Sequence, residues 1–334
     1  MEVTVPAGGP ADSPGSAALI GIVAIGRNEG ERLVRCLRSL EPTGARVVYV
    51  DSASTDGSAR RAVAKGATVI DLDMTLPFTA ARARNAGLAA LPECTLIQFI
   101  DGDCELEPGW LAEATAFLDT HADVAVVCGR RKERHPDASV YNRLCDLEWN
   151  TPVGEATACG GDALMRADAV RAAGGFRDDL TAGEEPELCA RLRHAGWRVF
   201  RLDARMTLHD AAMRRFGQWW WRAVRGGFGY AQAGRATSAL PHPLYRAEVR
   251  RAWLWGGALP LAGMAGAVLI HPALLLLPVV AMAAQVARLA LRSRVGRGMA
   301  WPHAGFTMLA KLPELQGIVR FLLSRRDASA ITYK

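Results

Sequence analysis

The chain has 334 residues, half of them hydrophobic, and a formal net charge of +6; it is long enough for a large core and too long for one small domain. From Pro241 onward there are 12 Lys and Arg against 3 Asp and Glu, whereas before it there are 28 against 31. A nucleic-acid binder carries its basic face on the folded domain, so a slightly acidic first part argues against nucleic acid as a partner.

Residues 1–17 (MEVTVPAGGPADSPGSA) lack the basic and apolar regions of a signal peptide, and their Pro, Gly, Ser and Ala content predicts a disordered leader. From residue 18, short apolar runs alternate with helical segments. ALIGIVAIG (18–26) predicts a strand, followed by a helix from Glu31 to Leu40. ARVVYVD (45–51) predicts a second strand and Ser58 to Lys65 a short helix. ATVIDLD (67–73) is a third strand, then a helix from Thr79 to Leu91, then a strand at TLIQFI (95–100). A helix follows Gly109 to about His121, and DVAVVCG (123–129) is a further strand. The runs are nearly continuously apolar, as in a parallel sheet covered on both faces. Their alternation with helices implies right-handed βαβ units and a doubly wound, mostly parallel, Rossmann-like α/β domain over residues 18–212. Seven cysteines form no C-x-x-C pair and are odd in number, which points to a reducing cytosol and away from a disulfide framework or a zinc site.

Residues 213–250, with RRFGQWWWRAVRGGFGY, have the Trp and Arg content of helices at a membrane interface. Residues 252–287 contain no charged residue. As one helix they would be about 54 Å long, well beyond a hydrocarbon core of about 30 Å. His271-Pro272 supplies a break and leaves halves at the lower limit for a crossing. Arg246, Arg250 and Arg251 precede the segment, and Arg288, Arg292, Arg294 and Arg297 follow it. Two basic flanks place both on the cytoplasmic side, so residues 251–292 read as a hydrophobic helical hairpin. A pair of buried helices in a soluble protein would normally show a polar stripe. Residues 293–334 form a basic amphipathic tail, in which Trp301 to Leu323 either lies on the membrane or packs back on the domain.

Asp101-Gly102-Asp103 stands where the fourth strand ends. Two carboxylates there can hold a hard divalent cation and leave positions open for phosphate oxygens; the alternative is a polar strand-end turn. Asp51 ends the second strand, where it can accept hydrogen bonds from a base or ribose edge or cap the next helix. The first strand runs into GRNEGERL. Neither G-x-G-x-x-G nor G-x-x-x-x-G-K-[ST] is present, which disfavours a nicotinamide or flavin cofactor and a P-loop ATPase.

With these residues the chain resembles the family 2 glycosyltransferases of the GT-A fold over about 190 residues. AIGRNEGERLVRCLRSL is similar to the family's opening strand, Asn-Glu turn (Asn28, Glu29) and helix. YVDSASTDGS is similar to its second-strand motif, ARARNAGLAA to its Arg-Asn-x-Gly helix, and FIDGDCELEPGWL to its metal motif. ATACGGDALMRADAVRAAGGF is similar to its glycine-rich segment and GEEPELCARLRHAGW to its acidic motif. The resemblance implies that Asn28, Glu29, Asp51, Arg84, Asp101, Gly160 and Gly161 bind a nucleotide-diphosphate sugar. It also implies that Asp103, with Asp101 assisting, holds Mg2+ or Mn2+ on the diphosphate, where a metal stabilises the leaving group's charge. The family's acidic motif ends in an Asp that acts as base; Glu185 stands there here, with Glu184 beside it, and glutamate is a competent base. His209 is a further candidate for the metal or diphosphate. Gln218 and Arg222 are similar to an acceptor-side Q-x-x-R-W motif, but QWWWRA departs from its spacing and puts processivity in doubt; Trp219, with Trp220 and Trp221, is an acceptor-site platform or an interfacial anchor. The expected activity is inverting transfer to an acceptor hydroxyl, saccharide or lipid-linked, by a catalytic domain on the cytoplasmic side of a membrane whose lipid it contacts. The alternatives are a polyprenyl-phosphate sugar synthase and a catalytically inactive scaffold of the same fold.

Overall fold

The structure, a computed structural model, describes residues 19–324; the expected leader and the last ten residues of the tail lie outside the described residues. Nine strands form one sheet: β1 (Ile20–Gly26), β2 (Arg46–Asp51), β3 (Thr68–Asp71), β4 (Leu96–Asp101), β5 (Cys104–Leu106), β6 (Val124–Glu133), β7 (Gly154–Ala156), β8 (Ala163–Arg166) and β9 (Arg198–His209). Their order is β3-β2-β1-β4-β8-β6-β9-β5, with β7 also paired to β9. Between them lie α1 (Glu31–Leu40), α2 (Ser58–Ala64), α3 (Ala80–Ala89), α4 (Trp110–Thr120), α5 (Val140–Glu148), α6 (Ala167–Ala172) and α7 (Glu184–His194).

The expected parallel arrangement holds for β3, β2, β1 and β4. Beyond β4 the sheet is mixed: β8 runs antiparallel to β4 and β6, while β6 and β9 are parallel. The reason is local. No crossover helix precedes β8; the chain enters it from the Gly160-Gly161 segment, and an antiparallel partner needs no long crossover. Ile22, Val23, Ile97, Phe99, Ile100 and Leu164 are fully buried at the centre. In α3, a side chain at Gly87 would collide with Val23, so this glycine sets how closely α3 lies on β1. β6 continues to Glu133, beyond the end the hydrophobic run indicates, because β9 pairs with it as far as Glu133 and His209.

Six helices follow the sheet: α8 (Phe216–Ala236), α9 (Arg246–Trp253), α10 (Leu259–Leu269), α11 (Leu276–Arg292), α12 (Arg297–Leu309) and α13 (Lys311–Ser324). α9, a π-turn at Leu254–Ala258 and α10 join into one apolar span over Arg246–Leu269; a second covers Pro272–Arg292, with mean hydropathies of 1.4 and 2.0. Both are long and apolar enough to cross a membrane, and most of each is exposed. The break falls at Ile270 and His271, beside Pro272. The tail packs back on the protein: a Cβ at Gly227 of α8 would overlap the Glu314 carbonyl, and one at Gly317 of α13 would overlap the Val224 carbonyl. The two helices approach through these glycines, as small residues permit.

Candidate active site

Parallel register assembles the first half of the site. Gly26 of β1 pairs with Asp51 of β2 on one side, and Ile25 pairs with Asp101 of β4 on the other. The strand ends that carry the motifs therefore lie side by side at the carboxyl edge, where open α/β sheets bind ligands. Asn28 adopts a left-handed backbone (φ 56°), which Asn tolerates better than most residues. Its Oδ1 accepts the Thr55 N–H at 2.8 Å and its own N–H donates to Ser54 Oγ at 2.8 Å. The Asn28-Glu29 turn thereby pins the loop after β2 to the loop after β1. Glu29 pairs with Arg32 at 2.5 Å. Asp51 is buried, accepting the Tyr49 O–H at 3.0 Å and the Ser54 N–H at 2.7 Å. Its carboxylate serves its own turn and does not line the cavity below.

The two carboxylates of the Asp-Gly-Asp triplet diverge. The Gly102 N–H donates to the Ile25 carbonyl at 2.8 Å, which fixes the turn. Asp103 faces His209, whose Nε2 lies 3.4 Å from Asp103 Oδ1. Antiparallel pairing of Cys104 with His209 brings them together across more than a hundred residues of sequence. Burial works against charge on Asp103, yet His209, Arg32 and Arg131 hold its carboxyl well below the usual range. Burial also works against the His209 cation, and Asp103 outweighs it, raising the imidazole to about 9. Behind His209, Glu133 Oε2 stands 3.8 Å from Nδ1 and is fully buried. Trp149 meets the imidazole edge to face at 4.6 Å. Asp101 turns the other way, to Arg84 at 2.9 Å and Arg131 at 3.3 Å. Burial, with Asp162 and Asp103 nearby, raises the Asp101 carboxyl against these two arginines.

The donor set fits a divalent cation at Asp103 and His209. A carboxylate oxygen and an imidazole nitrogen converge, and the second ring nitrogen faces a buried carboxylate, the arrangement that orients metal-bound histidines. Asp101 is held by Arg84 and Arg131, with its N–H donating to Asp162, and its carboxylate also lies in a second group, with Cys104 and Asp162, that could hold a metal ion.

The acidic pair opens α7. Gly183 caps it in a left-handed conformation (φ 83°), and Pro186 sits in the first turn, where a missing N–H costs nothing. Arg84 reaches across from α3 to Glu184 at 2.7 Å and Glu185 at 3.1 Å. Burial pushes Glu184 up, its neighbour Glu185 adds to this, and Arg84 opposes both, leaving it at about 7. Arg84 thus joins the acidic pair to Asp101. A Cβ at Gly161 would fall 2.6 Å from Asp101 Oδ2, while Gly160 faces open space; the first lets the chain pass under the Arg84–Asp101 contact.

These groups line one cavity of about 1400 Å3, whose far wall is built by α5, α8, α12 and α13. Gln218 lies on that wall but accepts the Arg214 and Arg215 N–H groups at 2.8 and 3.0 Å, so it caps α8. Arg222 makes a two-pronged contact with Glu148 at 2.7 and 3.1 Å. Trp219 is packed among Leu144, Cys145 and Met213, whereas Trp221 is half exposed.

The family model described as glycosyl transferase family 2 matches residues 22–171. Residues 22–171 thus resemble a family 2 glycosyltransferase domain. Among curated relatives, the succinoglycan biosynthesis protein ExoA of Rhizobium meliloti is 29% identical over 226 residues, covering 64% of this chain and 66% of that protein. A pre-mycofactocin glycosyltransferase of Mycobacterium tuberculosis is 28% identical over 229 residues, 63% of this chain and 46% of that protein. The chain therefore spans about two-thirds of one relative and under half of the other. Among solved structures, a mannosyltransferase from Pyrobaculum calidifontis in complex with GDP-Man and Mn2+ superposes with a TM-score of 0.62 at 18% identity, covering 94% of this chain and 90% of that one. This likeness in fold takes in the C-terminal helices as well as the GT-A sheet.

Three residues of the matched segment escaped the sequence reading. Arg131 pairs with Asp162 at 2.9 Å and with Asp101. Asp162 is fully buried, accepting the Asp101 N–H at 3.0 Å and the Thr207 hydroxyl at 2.7 Å. Glu133 backs His209. The available signal was alternation: Gly129, Arg131 and Glu133 share one face of a strand that looked finished at residue 129, and Asp162 follows the paired glycines directly.

Proposed function

We propose that the chain transfers a sugar from a nucleotide-diphosphate donor to an acceptor hydroxyl, with inversion, at a membrane surface. The observation that carries this reading is the shared cavity, which holds the Asp103–His209 pair at one place and the Glu184–Glu185 pair at another, the latter tied through Arg84 to Asp101. Asp103 and His209 would hold the cation; it supplies charge stabilisation to the departing diphosphate without proton transfer. Glu185 is the base for the acceptor hydroxyl. Its side chain is 13% exposed toward the cavity against 5% for Glu184, and the deeper carboxylate positions Arg84.

The far wall favours a hydroxyl acceptor over a phosphate. Arg222 and Lys311 are each engaged by a carboxylate, Glu148 and Glu314, so this wall offers polar contacts beside Trp149 and Trp221, not bare positive charge. The exposed apolar helices support attachment to a membrane, with the domain in the cytoplasm and a saccharide or glycolipid as acceptor. Full-length protein incubated with UDP-, GDP- and dTDP-sugars, Mn2+ and oligosaccharide or glycolipid acceptors tests this by nucleotide release and product NMR. A product of inverted anomeric configuration supports the reading. Retention, or transfer only to a polyprenyl phosphate, would sink it.

A further inference from the structure

We propose that the α10–α11 hairpin enters the bilayer from the side of the catalytic domain, turns inside the hydrocarbon and does not emerge on the opposite face. The inference rests on the membrane attachment proposed above and assigns its geometry.

Length is the first argument. The last charged residue before the turn is Arg251 and the first after it is Arg288. From Arg251 to Leu269 and from Pro272 to Arg288, helices at 1.5 Å per residue reach about 27 and 24 Å. These charge-free arms fall a few ångströms short of a hydrocarbon core of about 30 Å; the whole helices, Arg246–Leu269 and Pro272–Arg292, match its thickness only with their arginine-bearing ends drawn into it.

The body of the protein shortens this reach. A Cβ at Gly256 would overlap the Lys311 carbonyl, and one at Gly257 would lie 2.9 Å from the Leu315 side chain. The chain up to Gly257 is therefore seated on α13. The free arm starts near Leu261, which is 60% exposed, and ten residues of helix are about 15 Å, the depth of one leaflet. The arms are fastened to each other as well: a Cβ at Gly263 would meet Pro278 at 2.6 Å, and one at Gly266 would meet Leu274 at 2.9 Å.

The turn itself has the chemistry of a buried one. Val268, Leu269 and Ile270 are 85, 80 and 79% exposed, a poor surface for a loop emerging into water. Its backbone donors are satisfied internally, as lipid demands. The Ile270 and His271 N–H groups donate to the Gly266 carbonyl at 2.9 and 3.1 Å, and the Leu274 N–H donates to the His271 carbonyl at 3.0 Å. The Ala273 N–H donates to His271 Nδ1 at 3.2 Å, and Pro272 has no N–H. His271, the polar side chain of the turn, thus turns its Nδ1 to its own backbone.

The test places one cysteine at the turn (Ile270→Cys) and another in the loop before α9 (His242→Cys). The full-length chain is studied in sealed membrane vesicles of both orientations, with a membrane-impermeant maleimide. All seven native cysteines are buried, so the parent chain gives the background. The expected result is labelling of His242→Cys from one face only and none of Ile270→Cys from either face, with labelling of the turn restored by detergent. Labelling of Ile270→Cys from the face opposite His242→Cys would show a complete crossing and overturn the proposal. Labelling from the same face without detergent would show that the hairpin is outside lipid, and the membrane reading would fall with it. A turn that stays unlabelled in detergent is covered by protein, which also refutes the proposal.

Discussion

Replacing Arg84 by Met removes the charge that holds the site together and keeps most of its volume. The Arg84 side chain is 3% exposed and contacts Asp101, Glu184 and Glu185 at 2.7 to 3.1 Å. Asp101 would keep Arg131, while Glu184 and Glu185 would lose the cation they share. Removing one partner of a buried ion pair costs about 3–5 kcal/mol. At about 2–4 °C per kcal/mol for a domain of this size, the melting temperature falls by about 6–20 °C. The loss also depends on pH with a definite sign. Burial and Glu185 already raise Glu184 to about 7 against the pull of Arg84; without Arg84 it rises further. A carboxyl raised on folding costs nothing below its unfolded value, near 4.5, and costs most above its folded value. The deficit is therefore largest at pH 8 and shrinks toward pH 5. Thermal unfolding of both proteins in one detergent at the two pH values measures it. A deficit below about 1 kcal/mol, or one equal at both pH values, would refute a charge-centred role for Arg84.

Three further outcomes follow from the same geometry. Glu133→Gln weakens Mn2+ binding by about 10–100-fold, because the carboxylate behind His209 orients the imidazole; calorimetric titration with Mn2+ and a nucleoside diphosphate reads it, and an unchanged affinity contradicts it. Glu185→Gln abolishes transfer while metal-dependent donor binding persists, whereas Glu184→Gln retains transfer and loses the inflection near pH 7 in the rate profile; an intact rate in Glu185→Gln would favour a phosphate acceptor. Gly317→Ala destabilises the chain even though alanine favours helix by about 1 kcal/mol, since the new methyl overlaps the Val224 carbonyl; a variant as stable as the parent in thermal unfolding would show that α13 does not lie so close to α8.

Much of the site was legible in the sequence because it is local. Continuous apolar runs ending in Asp51 and Asp101 gave the parallel half of the sheet and the edge at which ligands bind. The acidic pair Glu184-Glu185 stood out by its likeness to a known motif, and the distance from Asp103 to His209 was no obstacle to suspecting a metal pair. What stayed hidden depends on long-range register. Asp101 and Asp103 look like one clamp when only a glycine separates them, yet Arg84 and Arg131 draw Asp101 away. Asp162 meets its partners only because β8 runs antiparallel between β4 and β6, and a four-residue strand entered from two glycines gives no periodic signal. The docking of α13 on α8 is carried by absent side chains at Gly227 and Gly317, which hydrophobic patterns do not register.

The most direct test compares nucleotide release from a sugar nucleotide by the parent chain and by Asp103→Ala, with Mn2+ and with a chelator. The account predicts release from one nucleotide class with Mn2+, none with chelator, and loss of the Mn2+-dependent rate in Asp103→Ala. Release that continues in Asp103→Ala, or that ignores the chelator, would contradict it.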